Sequence, residues 1–240
     1  MRVTAAPVFP SLRQEGAEGG FDVSISFAGS LFFLQFKLSD YMKRRSAVEW
    51  KKHGLFEPPF YRFYLRAKKY SDQHELLLEL ESQGNNVYYV APKFHLTSEL
   101  NDAYLNREMI NRSIFVRPSQ IGSIPIDWYH HVAFRDGYPA YLLSEPKKII
   151  ETINEELNLL NEIENITLRN SDSILNRETL TEIASGMISI VKRSQTVLPG
   201  MDEGQFDRLQ AVNPYEQIGY LSRIFFDCEL FVVEPVTKES

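Results

Sequence analysis

GGFDVSISFAGSLFFLQFKLSD, residues 19–40, is the stretch on which the reading of this chain turns. From Leu31 to Leu38 the side chains follow the two-residue period of a strand, with Phe32, Leu34 and Phe36 on one face and Gln35 and Lys37 together on the other. In the segment before it Val23, Ile25 and Phe27 form the apolar set, so Asp22 shares a face with Ser24 and Ser26. If the two segments pair across Ala28, Gly29 and Ser30, a carboxylate, an amide and an ammonium meet at one end of a hairpin.

That grouping has a chemical logic. A hard cation such as Mg²⁺ takes oxygen ligands, typically one or two carboxylates with water and substrate phosphate completing the shell. Asp22 offers the carboxylate and Gln35 a neutral carbonyl oxygen. Lys37 is placed to stabilise charge developing on a phosphate, and it stays protonated unless burial lowers its pKa. The same pattern also describes an amphipathic hairpin with a polar outer face, in which Lys37 is a solvated charge on an edge strand.

Asp22, a spacer of twelve residues, then Gln35-Phe36-Lys37 resembles the core of the PD-(D/E)xK nuclease superfamily in its Gln-x-Lys variant, found in Mrr-like restriction enzymes and antiphage nuclease domains. The resemblance covers roughly residues 10–92. It implies a restriction-endonuclease-like α/β core, a mixed sheet flanked by helices. In that core Asp22 binds metal, Gln35 assists and Lys37 is catalytic. Such cores often carry a further Glu on the helix before the first strand. Glu15 or Glu18 fits that place, and Glu15 is preferred because Glu18 adjoins a double Gly. The implied cofactor is Mg²⁺ or Mn²⁺, held by Asp22, Gln35 and Glu15. The chain departs from the family in having Phe21 where a Pro usually precedes the Asp. Gln in place of Glu removes one negative charge from the site, which weakens its hold on a cation.

The composition is that of an ordinary globular protein, 43% apolar and 24% charged over 240 residues. A single cysteine, Cys228, excludes an intramolecular disulfide and fits a reducing compartment. No run approaches the length of a membrane span, and MRVTAAPVFPSL lacks a signal-peptide core, so a cytoplasmic location is expected. The net charge of −6 hides an asymmetry: residues 1–70 hold 12 Lys and Arg against 6 Asp and Glu, and the remainder is acidic. The excess concentrates in YMKRRSAVEWKKH, where Lys43, Arg44, Arg45, Lys51 and Lys52 form a candidate phosphate-contacting rim for nucleic acid.

Beyond the rim, PPFYRFYL reads equally as helix or strand, SDQHELLLELESQG as a helix closed by Gly84, and NVYYVAP as a short buried strand. SIFVRP, HHVAF and AYLLSE read as strands, with a turn at Asp136-Gly137. Adjacent strand residues point to opposite faces, so His130 and His131 are not expected to chelate one ion. From Pro146 the periodicity predicts an amphipathic, acidic helix, then a second from about Asn176 to Ser194 and a third from Pro214 to about Cys228. The expected organisation is a nuclease-like α/β domain over residues 1–145 and a helical C-terminal region over 146–240, packed on the core or serving as an interaction surface. Two functions follow. One is a metal-dependent endonuclease acting on DNA, of the kind used in restriction or antiphage defense. The other is an inactive nuclease-like subunit that binds nucleic acid or joins an assembly. In either, the acidic helical region is the expected contact for a protein partner or a second copy.

Overall fold

The computed structural model describes residues 27–124, 130–143, 146–149, 165–166, 174–194, 209 and 212–233. The segment carrying Gln35 is strand β2 (Ser30–Phe36), and it lies in the interior of a sheet. On one side it pairs in parallel with β5 (Asn86–Pro92), placing Gln35 opposite Tyr89. On the other it pairs antiparallel with β11 (Glu229–Val233), placing Leu34 opposite Glu229. The expected hairpin therefore does not form: β1 (Phe27–Ala28) pairs with β10 (Ile174–Leu175). The physical reason is plain. Only Gly29 separates β1 from β2, fewer residues than the tightest hairpin loops use, and both edges of β2 are already taken. Asp22, Glu15 and Glu18 lie outside the described residues.

The architecture is mixed α/β. One sheet has the order β11-β2-β5-β6, with β6 spanning Ser113–Val116. The other is antiparallel, ordered β3 (Asp40–Met42), β4 (Phe60–Leu65), β7 (His130–Phe134), β8 (Ala140–Leu143) and β9 (Pro146–Ile149). PPFYRFYL thus resolves as strand, its aromatic residues paired across β4 and β7. The helix expected from Pro146 begins instead as edge strand β9, a position proline tolerates, and residues 150–164 of that expected helix lie outside the described residues.

Helices α1 (Val48–Lys51), α2 (Gln73–Ser82), α3 (Thr97–Leu105), α4 (Pro118–Ile121), α5 (Arg177–Arg193) and α6 (Pro214–Ile224) complete the described elements. Gly84 follows α2 with φ +89°, the left-handed backbone that favours glycine at a helix end. The side chain of Asn176 caps α5 by accepting from Thr179 N–H, and that of Asn213 caps α6 by accepting from Tyr215 N–H. The third helix stops at Ile224, and the chain then turns into β11.

Period-two alternation divides the first sheet cleanly. Leu31 and Phe33 of β2, with Val87, Tyr89 and Ala91 of β5, enter the main core beside Leu77 and Leu80 of α2 and Ile190 of α5. Phe32, Tyr88, Val90 and Phe115 form a second apolar cluster on the opposite face. The main core also takes Phe63 and Leu65 of β4, Val132 of β7 and Leu221 of α6. The described residues beyond 174 are therefore part of the same interior: α6 packs on α5 and on β11, and α5 packs on α2.

The basic segment is fixed to the second sheet by a buried acid. Glu49 of α1 is fully buried, and its Oε1 accepts from Arg62 Nη1 at 3.0 Å and meets His131 Nε2 at 2.9 Å. Burial works against the Glu49 charge, but the bonds from His131 and Arg62 outweigh it and hold the carboxyl down at about 2. The folded pKa lies below the unfolded value of about 4.3, so this stabilisation is present above that pH and is lost as pH falls toward 2. Glu49→Ala leaves Arg62 and His131 facing an unfilled, uncompensated pocket and is expected to lower stability by about 3–5 kcal/mol. Denaturant unfolding of the wild type and of Glu49→Gln from pH 7 to pH 2 checks the sign: the gap between them should close below pH 4.

Candidate functional site

Strand β2 and the residue after it carry Gln35 and Lys37 on the face of Leu31 and Phe33. Gln35 is 0% exposed. Its Nε2 donates to Asp227 Oδ2 at 3.3 Å, while its Oε1 is buried and has no hydrogen-bond partner among the described residues. An orphaned buried carbonyl oxygen is unusual, because leaving such a group unpaired costs about 1–3 kcal/mol. Lys37 is half-buried: its backbone N–H continues the ladder to Val90 O at 2.8 Å, and its Nζ lies 5.5 Å from the centre of the Tyr89 ring. Lys37 is thus not the solvated edge charge of the amphipathic-hairpin reading. Burial lowers its pKa, Asp227 works against that shift, and Arg66 adds to it.

Tyr89 is held in turn. Gly122 O can only accept, so His74 Nε2 donates to it at 2.8 Å, and a neutral ring then leaves Nδ1 to accept from the Tyr89 hydroxyl at 2.7 Å. Burial favours that neutral form by lowering the His74 pKa, and burial pushes the Tyr89 hydroxyl well above its ordinary value. The result is a fixed aromatic wall beside the lysine.

Asp227 stands where the chain turns from α6 into β11, with φ +49°. Gln73 Nε2, at the start of α2, donates to the same Oδ2 at 3.0 Å and lies 3.4 Å from Phe226 O. This carboxylate opens onto a cleft of about 390 Å³ lined by Arg66, Ser71, Asp72, Gln73 and Arg223. Gln35, Lys37 and Asp227 are thus brought together at one place. Sequence reasoning missed Asp227, 192 residues from Gln35, since no spacing or motif in FFDCEL marks it.

The rim residues lie elsewhere. Lys43, Arg44, Arg45, Lys51 and Lys52 are all exposed, on and around α1. Lys43 Nζ sits 5.2 Å from the Tyr41 ring, and Arg45 is paired with Glu57. Lys43 and Arg44 line a second open cleft of about 530 Å³ with Tyr41, Ser46, Val48 and Arg62, and it shares no lining residue with the first. His130 and His131 are both buried on neighbouring positions of β7, and His131 is engaged by Glu49. Among the described residues no three His, Cys, Asp or Glu side chains gather to hold a metal ion. Among the described residues, no helix is long and apolar enough to cross a membrane.

Compared with known proteins, the chain matches no family model, no curated protein and no solved structure.

Proposed function

We propose that the chain is a metal-dependent nuclease that hydrolyses phosphodiester bonds of nucleic acid, with DNA as its substrate, built on a restriction-endonuclease-like core and serving bacterial restriction or antiphage defense. One observation carries this reading. Gln35 holds a buried carbonyl oxygen with no hydrogen-bond partner among the described residues, two residues from a half-buried lysine, and its amide nitrogen meets the carboxylate of Asp227, which lines an open cleft. The parallel pairing of β2 with β5, across a connection that holds β3, α1, β4 and α2, supports a core of that kind.

The residues at hand suit a hard divalent cation, Mg²⁺ or Mn²⁺. Gln35 Oε1 would be a neutral ligand, and the resemblance adds Asp22 and Glu15. Such an ion supplies charge neutralisation at the scissile phosphate and a more acidic bound water. Lys37 contributes a fixed positive charge where the pentacoordinate phosphate gathers negative charge. Tyr89 and His74 keep that side chain from wandering. Lys43, Arg44, Arg45, Lys51 and Lys52 draw in the phosphate backbone.

A second reading is a nuclease-like subunit that binds without cutting. Cleavage of plasmid DNA in Mg²⁺ and in Mn²⁺ separates the two. Under the nuclease reading Lys37→Ala and Gln35→Ala each lower the cleavage rate by about 10²-fold or more while DNA binding persists. Binding with no cleavage by the wild type in either metal establishes the second. The rim has its own check, the salt dependence of DNA binding. Replacing Lys43, Arg44, Lys51 and Lys52 by Ala should flatten the slope of log K against log salt by about 0.9 for each of the four that grips a phosphate.

A further inference from the structure

The cleft beside α1 is lined by cations and by no acid, whereas Asp72 and Asp227 both line the other one. Arg62 in its wall is already committed, to Glu49 at 3.0 Å and to Asp40 at 3.6 Å. Lys43 and Arg44 are exposed and uncommitted. Among the described residues Arg44 has no side-chain partner, and Lys43 has only the ring of Tyr41. Free cations without an acid among them suit anionic groups. The cleft measures about 530 Å³, within the range of small-ligand sites.

Tyr41 makes this cleft more than a patch of charge. Its backbone belongs to β3 and pairs with Tyr61 of β4, and its ring stacks on His95 with centroids 3.9 Å apart. The Tyr61 centroid is 4.9 Å from that of Tyr41 and 6.4 Å from that of His95, which makes nearly a right angle at Tyr41. His95 therefore lies on the face of the Tyr41 ring, and Tyr61 lies at its edge. With one face filled, the room over the ring for the Lys43 ammonium, 5.2 Å from the centroid, is on the other. His95 is tethered in turn, since its backbone N–H donates to Glu99 Oε2 at 2.8 Å. An ammonium over an exposed ring is weakly held, and a phosphate offers Lys43 a stronger partner. Its departure bares a flat aromatic face beside the phosphate just bound. A base joined to phosphates satisfies both, and only an unstacked base has a face to spare. We propose that the cleft binds an unpaired DNA base, stacked on Tyr41 opposite His95, with the flanking phosphates on Lys43 and Arg44. This rests on the reading above that these cations meet nucleic acid, and it adds strandedness: the substrate carries a single-stranded stretch at the rim.

The test uses the full-length chain in metal-free buffer, which prevents cleavage. Binding is measured to a blunt duplex, to the same duplex with a short single-stranded overhang, and to that overhang made abasic. The intact overhang should bind about 10-fold tighter than the blunt duplex, and the abasic one should lose that gain. A 2-aminopurine base in the overhang should lose fluorescence as it stacks. Tyr41→Ala abolishes that quenching, and Tyr41→Phe, which keeps the ring and its stack on His95, retains it. The abasic comparison needs only the wild type, so a folding defect in Tyr41→Ala cannot imitate the result. A blunt duplex or an abasic overhang that binds as tightly as the intact one overturns the inference and leaves the nuclease reading standing, as does quenching that survives in Tyr41→Ala. Mononucleotide dAMP that binds as tightly as the overhang makes a free nucleotide the ligand and overturns it as well. A wild type that binds none of these strands and leaves plasmid DNA uncut in Mg²⁺ and Mn²⁺ overturns both.

Discussion

Everything at this site follows from β2 being enclosed on four sides. Its edges are occupied by β5 and β11, and its faces by two separate apolar clusters. A strand so placed is normally an unbroken apolar run. Here the run gives way to Gln35 and Lys37 at one end, so the backbone draws an amide fully, and an ammonium partly, out of water. Burying such groups costs several kcal/mol unless they are paired. Asp227 and the Tyr89 face offset part of that for nitrogen atoms. No described residue offsets it for Gln35 Oε1. On the nuclease reading proposed above, that unmet oxygen is a ligand position and not a packing fault.

The parts legible in the sequence were those governed by local rules. Alternation located β2 and a short apolar run β5, Gly84 closed α2, and apolar periodicity placed α5 from about Asn176 and α6 from Pro214. The shared face of Gln35 and Lys37 was likewise a matter of period two. Pairing was not legible, because it is decided by which segments compete for an edge. β11 lies almost two hundred residues from β2 and outcompetes the segment just before it. Pro146 misled for a related reason: proline opens helices and edge strands alike, and only the neighbouring strand β8 distinguishes them. Asp227 was invisible because its significance exists only once β11 is placed. Glu49 was hidden differently, as one acid in a basic run, and only the fold reveals that it faces Arg62 and His131 beneath the surface.

The charge asymmetry of the first 70 residues now has a structural form. Glu49 turns α1 into an anchored platform, so the cations around it face outward from a fixed base instead of a loose loop. Its bonds to Arg62 and His131 also explain why a helix of only four residues persists, since so short a helix has no stability of its own.

The two clefts bear on the size of any ligand that engages both. Lys37 belongs to the Gln35 cluster and Lys43 to the basic rim, and they stand six positions apart in the chain. Fully extended, that chain spans at most about 22 Å, and β3 uses part of it, so the two backbone positions lie within that distance. A duplex rises about 3.4 Å per base pair, so six or seven base pairs cover even the full span. The two clefts have no lining residue in common, and neither Gln35 nor Lys37 lines the one at the rim. On the nuclease reading proposed above, that separation suits a polymeric substrate, held by its backbone at the rim and cut a short distance along.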